Sequence, residues 1–430
     1  MDWRAGAGSA LHGSVSIPGD KSVSHRAIML AALADGVSTI DGFLEGEDTR
    51  ATAAIFSNMG VRIDTPSPSR RIVHGVGIDG LHAPVAPLDC GNAGTGMRLL
   101  AGLLAAQRFD STLTGDDSLR KRPMRRVTDP LAAMGAWIDA SDGGLPPLHI
   151  HGGRQLHGAR HALDVASAQV KSALLLAGLY AQGDTEVVEP HPTRDYTERM
   201  LAAFDVDLEF SPGYARLRGG QRLRATDVVV PADFSSAAFF LVAASIVPGS
   251  DLCLRAVGLN PRRTGLLHVL RHMGADIEEV NASHCGGEPV ADLRVRHAQL
   301  RGIEVSEALV PDMIDEFPAL FVAAACAEGP TVVRGAAELR VKESDRIAVM
   351  AEGLRATGIQ VDETPDGATI HPAPLRGGIV HSHADHRIAM AFAVAAQVAT
   401  GEIHICDVAN VATSFPGFDA LAREAGFNLT

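Results

Sequence analysis

Met59-Gly60-Val61-Arg62-Ile63 and Met134-Gly135-Ala136-Trp137-Ile138 are two copies of one pattern, a helix-like segment that closes on a small or turn residue and enters a short alternating strand. Four more copies follow: Phe204-Asp205-Val206-Asp207-Leu208, Met273-Gly274-Ala275-Asp276-Ile277, Thr357-Gly358-Ile359-Gln360-Val361 and Ala425-Gly426-Phe427-Asn428-Leu429. The turn residues stand at 60, 135, 205, 274, 358 and 426, spacings of 75, 70, 69, 84 and 68. Units of this length exceed ordinary solenoid repeats of ~20–50 residues, so the six predict two compact lobes of three units each. The break falls near Val230-Pro231. A second crossing near Pro18-Gly19 is expected if the N-terminal strand joins the far lobe.

Six Ala-rich segments, apolar nearly all round, interleave with these copies and begin near Ser22, Thr95, Ser167, Ser235, Asp315 and Asp385. Helices of that kind must be buried rather than half-exposed. Gly36, Gly183, Gly249, Gly329 and Gly401 follow most of them and read as C′ caps leading into strands such as Thr185-Glu186-Val187-Val188. The fold class is therefore α/β, with helix and sheet mixed within each unit.

Lys and Arg number 38 against 51 Asp and Glu, a net charge of −13, which argues against a nucleic-acid or anionic-membrane surface. Five scattered cysteines without C-x-x-C spacing fit neither a disulfide framework nor a zinc ribbon and suit a reducing cytosol. No apolar run reaches the ~18 residues of a membrane span, and the N-terminus has no leader-like pattern. A cytoplasmic protein is expected.

Polar and charged residues collect where the buried helices begin: Lys21, Ser22 and Arg26; Asn92, Gly94 and Thr95; Ser167 and Gln169; Ser235 and Ser236; Asp315; Asp385, His386 and Arg387. Ser, Thr, Asn and Asp cap helices routinely, but Lys21, Arg26, Gln169 and Arg387 do not. Helix N-termini attract anions through their N–H groups and partial positive charge, so several such ends would make a multi-anion site in an acidic protein. The second helix type also starts on basic residues: Arg122, Arg194, then Lys342 and Arg346, which at i, i+4 would share one helix face. Arg262 and Arg263 read as a solvated first turn.

Three motifs mislead. Gly75-Val76-Gly77-Ile78-Asp79-Gly80 matches G-x-G-x-x-G, but Pro84 and Pro87 stand where a dinucleotide-binding helix must begin. Asp20 interrupts the P-loop-like Gly19-Asp20-Lys21-Ser22. His381, His383 and His386 lack a surrounding ligand set, so no metal is expected.

Pro18-Gly19-Asp20-Lys21-Ser22-Val23-Ser24-His25-Arg26, Gly91-Asn92-Ala93-Gly94-Thr95-Gly96-Met97-Arg98, Lys121-Arg122-Pro123, Arg340-Val341-Lys342-Glu343-Ser344-Asp345-Arg346 and Asp385-His386-Arg387 together resemble the motifs of the 5-enolpyruvylshikimate-3-phosphate synthase family, in order from about Gly13 to Phe418. Ala166-Ser167-Ala168-Gln169-Val170-Lys171-Ser172, Thr193-Arg194-Asp195 and Met313-Ile314-Asp315-Glu316 resemble its class II bacterial branch. The resemblance implies a two-domain enolpyruvyl transferase fold. Each domain would hold three βαβαββ units in pseudo-threefold arrangement, residues 20–231 against 1–19 plus 232–430, with the active site in the interdomain cleft. It also implies transfer of the enolpyruvyl group of phosphoenolpyruvate to the 5-hydroxyl of shikimate 3-phosphate, with release of phosphate, by a monomer that needs no cofactor or metal.

Carried over by position, Lys21, Ser22, Arg26, Ser167, Ala168, Gln169, Arg194, Asp315 and Lys342 resemble contacts to shikimate 3-phosphate. Lys21, Gly94, Arg122, Gln169, Arg346 and Arg387 resemble the phosphoenolpyruvate grip, for which guanidinium forks are suited. Asp315 would take the proton of the attacking hydroxyl, Glu343 would exchange a proton with the vinyl carbon, and Lys21 would assist. Carboxyl groups can play either part when their environment tunes them. Ser414 stands where the class I branch carries a Lys, and Ala168 replaces a phosphate-binding Ser, leaving a backbone N–H for that contact. The resemblance further implies that glyphosate occupies the donor site, where Gly94 leaves it room. Alternatives from the same residues are a UDP-N-acetylglucosamine enolpyruvyl transferase and a non-catalytic anion-binding repeat protein.

Overall fold

The six turn residues of the repeat all take a left-handed backbone: Gly60 at φ +93°, Gly135 at +100°, Asp205 at +66°, Gly274 at +96°, Gly358 at +93° and Gly426 at +115°. A side chain other than Asn or Asp is disfavoured there, which explains why a Gly or Asp recurs between each outer helix and its strand. The computed structural model describes residues 1–285 and 287–430. Its chain divides into an N-terminal unit, Gly19–Val230 with Cys285–Glu288, and a C-terminal unit, Met1–Pro18 with Pro231–His284 and Pro289–Thr430.

Helices α1 (Lys21–Leu33), α3 (Gly94–Leu104) and α5 (Ala168–Gly178) form the interior of the N-terminal unit, and α2 (Glu47–Asn58), α4 (Arg125–Ala133) and α6 (Tyr196–Ala203) alternate with them. The C-terminal unit repeats the scheme, with α7 (Phe234–Ile246), α9 (Phe317–Ala325) and α11 (His386–Ala396) inside and α8 (Gly265–His272), α10 (Arg346–Ala356) and α12 (Phe418–Ala425) alternating with them. Every residue of α7, α9 and α11 is buried, as expected for helices without a polar face. Each buried Leu or Phe contributes roughly 1.5–3 kcal/mol. A Cβ on Gly102 in α3 would collide with the backbone of Ala173 in α5, so these two helices approach as only glycine permits.

Each repeat is βαβαββ with one strand order. Leu88–Asp89 lies parallel to Ser111–Thr114, which pairs antiparallel with Leu145–His151 and through it with Trp137–Ser141. Arg160–Ala162, Asp184–Val188, Tyr214–Arg218 and Leu208–Ser211 repeat that order. In the remaining N-terminal repeat the first strand comes last in sequence: Leu223–Arg224 and Val228–Val229 run parallel to Ala34–Asp41. In the C-terminal unit His12–Val15 pairs with Asp251–Gly258, and Trp3–Gly6 completes the sheet of Gly378–His381, Ile403–Cys406 and Asn428–Leu429. The fifth repeat keeps only isolated bridges, Arg301 to Glu328 and Glu304 to Val332, in place of its first strand.

Two local expectations need correction. Gly36, Gly183, Gly249 and Gly329 do have positive φ, but the C-cap residues are Ala34, Leu179, Val247 and Cys326. The glycines therefore turn the chain into the strand, while the helices end on ordinary residues. Lys342 and Arg346 do not share a helix face, because α10 begins at Arg346 and Lys342 belongs to the preceding loop, which also carries Glu343. The 75–80 glycine motif ends a strand, Arg70–Val76, and no helix follows before α3. Among the described residues, no helix is long and apolar enough to cross a membrane.

Candidate active site

In the N-terminal unit the predicted residues form connected groups. Asp20 caps α1 by accepting from the Val23 N–H at 2.8 Å, and the next residue, Lys21, holds Asp48 Oδ2 at 2.7 Å. One turn on, Arg26 is buried and donates to Thr197 Oγ1 at 2.7 Å, Ser172 Oγ at 2.9 Å and the Ser22 carbonyl at 2.9 Å. Burial and the nearby Arg194 lower its pKa to about 10, which still leaves it charged. Ser167 is the N-cap of α5, so Ala168 occupies the first helical position, whose backbone N–H is outside the helix's own ladder.

The start of α3 has no side-chain cap, which leaves its first N–H groups open to an anion. Around it, Arg122 donates to Asn92 Oδ1 at 2.7 Å and Ser118 Oγ at 3.1 Å. A Cβ on Gly94 would stand 3.2 Å from Arg122 Nη1 and equally far from Arg98 Nη1. Arg98 donates to Gln169 Oε1 at 2.7 Å, and Gln169 Nε2 donates to Thr95 Oγ1 at 2.9 Å. Gln169 thus ties the first turns of α3 and α5 together.

Beneath this layer is an ion triad that sequence reasoning passed over. Lys171 Nζ lies 2.7 Å from Glu189 and 2.9 Å from Glu198, with all three side chains at or below 2% exposure. Burial opposes the charge on Lys171, but the two carboxylates hold its pKa above the ordinary value. Glu189 also accepts from the Thr193 hydroxyl and N–H, anchoring the residue before Arg194. The available signal was a lysine inside an apolar helix, since a buried charge demands a partner.

The C-terminal unit assembles around two buried arginines. Arg346, 1% exposed in its side chain, reaches Asp385 at 2.9 Å, Glu343 at 2.6 Å and Asp315 at 3.4 Å. Burial opposes its charge, and those carboxylates together hold its pKa above the ordinary guanidinium value. Lys342 pairs with Glu338 at 2.6 Å and stands 4.0 Å from Asp315. Asp385 caps α11 through the Arg387 N–H at 2.9 Å and accepts from Ser344 at 3.0 Å.

Two readings change here. Asp315 does not cap α9, since Glu316 holds the N-cap position and the Asp315 carboxylate is turned to arginines. Arg263 is no solvated first-turn residue: it is 4% exposed and donates to Asp315 Oδ2 at 2.9 Å and Ser235 Oγ at 2.6 Å. Arg262 meets Asp312 at 3.4 Å. Arg387 is 9% exposed as a residue, and its guanidinium has no hydrogen bond or ion pair to another described side chain. Among the described residues the metal-capable triplet is Asp2, His404 and Cys406, not the three histidines at 381, 383 and 386.

The profile of the family described as EPSP synthase (3-phosphoshikimate 1-carboxyvinyltransferase) matches residues 6–421. The chain is 74% identical over 427 residues to a 3-phosphoshikimate 1-carboxyvinyltransferase of Xanthomonas euvesicatoria pv. vesicatoria (strain 85-10), covering 99% of this chain and 97% of that one. A solved EPSP synthase from Acinetobacter baumannii has a TM-score of 0.91 and 51% identity, covering 100% of this chain and 99% of its own. The enolpyruvyl transferase NikO from Streptomyces tendae, at 18% identity and a TM-score of 0.80, covering 100% and 98%, shares the fold. With a family match of this extent laid over the residues just described, the chain belongs to the EPSP synthase (3-phosphoshikimate 1-carboxyvinyltransferase) family.

Proposed function

We propose that the protein transfers the enolpyruvyl group of phosphoenolpyruvate to the 5-hydroxyl of shikimate 3-phosphate and releases phosphate. The observation that carries the site reading is Arg387. Its side chain is mostly covered by the protein, yet its guanidinium makes no bond to another described side chain, and a guanidinium fork fits a carboxylate or phosphate bidentately. The uncapped start of α3 beside Arg122 is a second anion-binding element. Arg122, Gly94, Gln169, Arg346 and Arg387 hold phosphoenolpyruvate in this reading. Ser22, Arg26, Ser167, Ala168, Gln169, Arg194 and Lys342 hold shikimate 3-phosphate, and Lys21 touches both.

Asp315 accepts the hydroxyl proton as the new C–O bond forms at the central carbon of phosphoenolpyruvate, and Glu343 gives a proton to the methylene carbon. Glu343 then takes a proton back from the methyl group as the C–O bond to phosphate breaks and the vinyl group re-forms, and the hydroxyl proton held by Asp315 leaves with the phosphate. Lys342 and Arg346, next to both carboxylates, stabilise the charges that develop. The family assignment favours this acceptor over UDP-N-acetylglucosamine.

The full-length protein mixed with the two substrates should release phosphate and should release none with UDP-N-acetylglucosamine as acceptor. Arg387→Gln should raise KM for phosphoenolpyruvate at least ~10-fold, the loss of a charge-assisted contact, while the fold by circular dichroism is kept. An unchanged KM would reject Arg387 as part of the donor grip. The same reading takes the enzyme to be a cytoplasmic monomer without a nucleic-acid or membrane partner, supported by the charge of −13 and the unpaired cysteines. A mass near 45.1 kDa by light scattering would agree with the monomer.

A further inference from the structure

Arg263 follows Pro261 in a loop before α8, and nothing in its immediate sequence marks it as functional. Its backbone is fixed by the buried Asn260, whose carbonyl accepts the Arg263 N–H at 2.8 Å and whose Oδ1 accepts the Arg262 N–H at 2.9 Å. Its side chain, 5% exposed, ends among three carboxylates: Asp315 at 2.9 Å, Glu316 at 3.7 Å and Asp233 at 3.9 Å. Ser235 takes one Nη2 proton at 2.6 Å and itself bonds Glu316. Asp233 in turn caps α7 through the Ser235 N–H at 2.7 Å. One guanidinium therefore joins the starts of α7 and α9 to the Asp315 carboxylate.

The two oxygens of Asp315 are treated differently. Oδ2 is taken by Arg263, whereas Oδ1 is turned to Arg346 at 3.4 Å and Lys342 at 4.0 Å, the cations assigned to the substrates. We infer that Arg263 is a positioning residue for the proton transfer: it immobilises Oδ2, so that Oδ1 is the atom that receives the hydroxyl proton. The inference rests on the proposed role of Asp315 as the base. The physical basis is twofold. A charge-assisted hydrogen bond from a guanidinium that is itself held by a second partner orients a carboxylate, and its charge favours the ionised form; a base a fraction of an ångström out of place loses much of its effect. Charged groups near the pair among the described residues include Asp233 before α7, Glu316 before α9, Lys342 in the loop before α10, Arg346 at its start, and Glu343 and Asp385, which reach the pair through Arg346.

Three variants of the full-length protein test this: Arg263→Lys, Arg263→Gln and Asp315→Asn, with each Arg263 change also made in the Asp315→Asn background. Arg263→Gln should lower kcat by roughly 10- to 100-fold, leave KM for both substrates within about twofold, and move the acidic limb of the kcat/KM profile up by about one pH unit. Arg263→Lys keeps the charge but cannot bridge Ser235 and Asp315, so kcat should fall about tenfold with the acidic limb near its original place. In the Asp315→Asn background neither change should alter the residual rate more than about twofold, because an interaction acting through Asp315 has nothing left to act on.

If Arg263→Gln does not fold, because Asp233 and Glu316 lose their cation, Arg263→Lys decides alone. Wild-type kcat in that variant, or an equal further loss when it is combined with Asp315→Asn, overturns the inference. An Asp315→Asn enzyme with wild-type turnover instead overturns the reading of Asp315 as the base, which is a separate outcome.

Discussion

Gly94 shows how a single missing methyl group shapes the grip proposed for the donor. A Cβ there would meet Arg122 Nη1 and Arg98 Nη1 at 3.2 Å each, closer than ordinary packing, so both guanidiniums must yield by a few tenths of an ångström. Arg122 is itself held by Asn92 and Ser118 and cannot move without losing those bonds. Gly94→Ala should raise KM for phosphoenolpyruvate about tenfold, with KM for shikimate 3-phosphate and kcat little changed. Inhibition by glyphosate, expected below millimolar concentrations in the parent, should weaken by a larger factor. Equal effects on both substrates would mean the glycine serves the fold and not the donor. At this scale the places of Lys21, Gly94 and Arg387 in first helical turns were legible, because the apolar periodicity marks where α1, α3 and α11 begin, whereas Arg122 and Asp315 lie in the segments just before α4 and α9. Arg263 was not legible, since it is an ordinary charge locally and its partner Asp315 lies 52 positions away. Lys171 was legible as a charge inside an apolar helix, but its partner Glu189, 18 positions on, was not.

At the level of elements, α1 is legible in its cap and apolar content yet carries a charge problem that only packing reveals. His25 is fully buried, with Nδ1 2.8 Å from Thr52 Oγ1 and Nε2 without a partner among the described residues. Burial, reinforced by Lys21 and Arg26, lowers its pKa to about 3. Between that value and the ordinary 6.5 the unfolded chain binds a proton that the folded helix refuses, so stability falls as pH drops, at up to ~1.4 kcal/mol per pH unit. Hydrogen exchange of the α1 amides should therefore report about 1–2 kcal/mol less protection at pH 5 than at pH 6.5. His25→Asn should remove most of that difference, and a variant with the same pH dependence as the parent would show that other groups set it. The helix ends were less legible. Gly36, Gly183, Gly249 and Gly329 carry the positive φ expected of a cap but act in the turn beyond it. The local sequence signals a left-handed residue without saying which element needs it.

For the whole molecule, the sixfold spacing read the architecture because each left-handed turn residue is fixed by one recurring junction. What it could not supply was the order in which sheets are completed, since strand pairing joins segments hundreds of residues apart. Trp3 pairs with Ile405 and Ala5 with both Ile403 and Leu429, while Arg4 exchanges backbone bonds of 2.8 Å with Thr430 in both directions. The two chain ends are therefore neighbours in one sheet, and residues 1–18 belong to the C-terminal unit although they precede the N-terminal one. Each unit has its own core, one running from Trp3 to Leu429 without residues 18–231 and the other from Val23 to Val230.

The chain should accordingly tolerate a new start at Gly19, with Thr430 joined to Met1 by a short Gly/Ser linker and Pro18 as the last residue. Such a permutant keeps every strand pair, cuts only a connection between units, and adds a loop whose closure costs little because the ends already lie side by side. Its melting temperature should stay within about 5 °C of the parent, a shift worth roughly 1–2 kcal/mol for domains of this size. Deleting residues 1–18 outright should instead unfold the C-terminal unit, which loses Trp3–Gly6 from the interior of one sheet and His12–Val15 from the edge of another. Limited proteolysis of that deletion should leave a resistant fragment spanning Gly19–Val230, whose core is complete without the missing strands. Digestion of both units together would show that neither core stands alone.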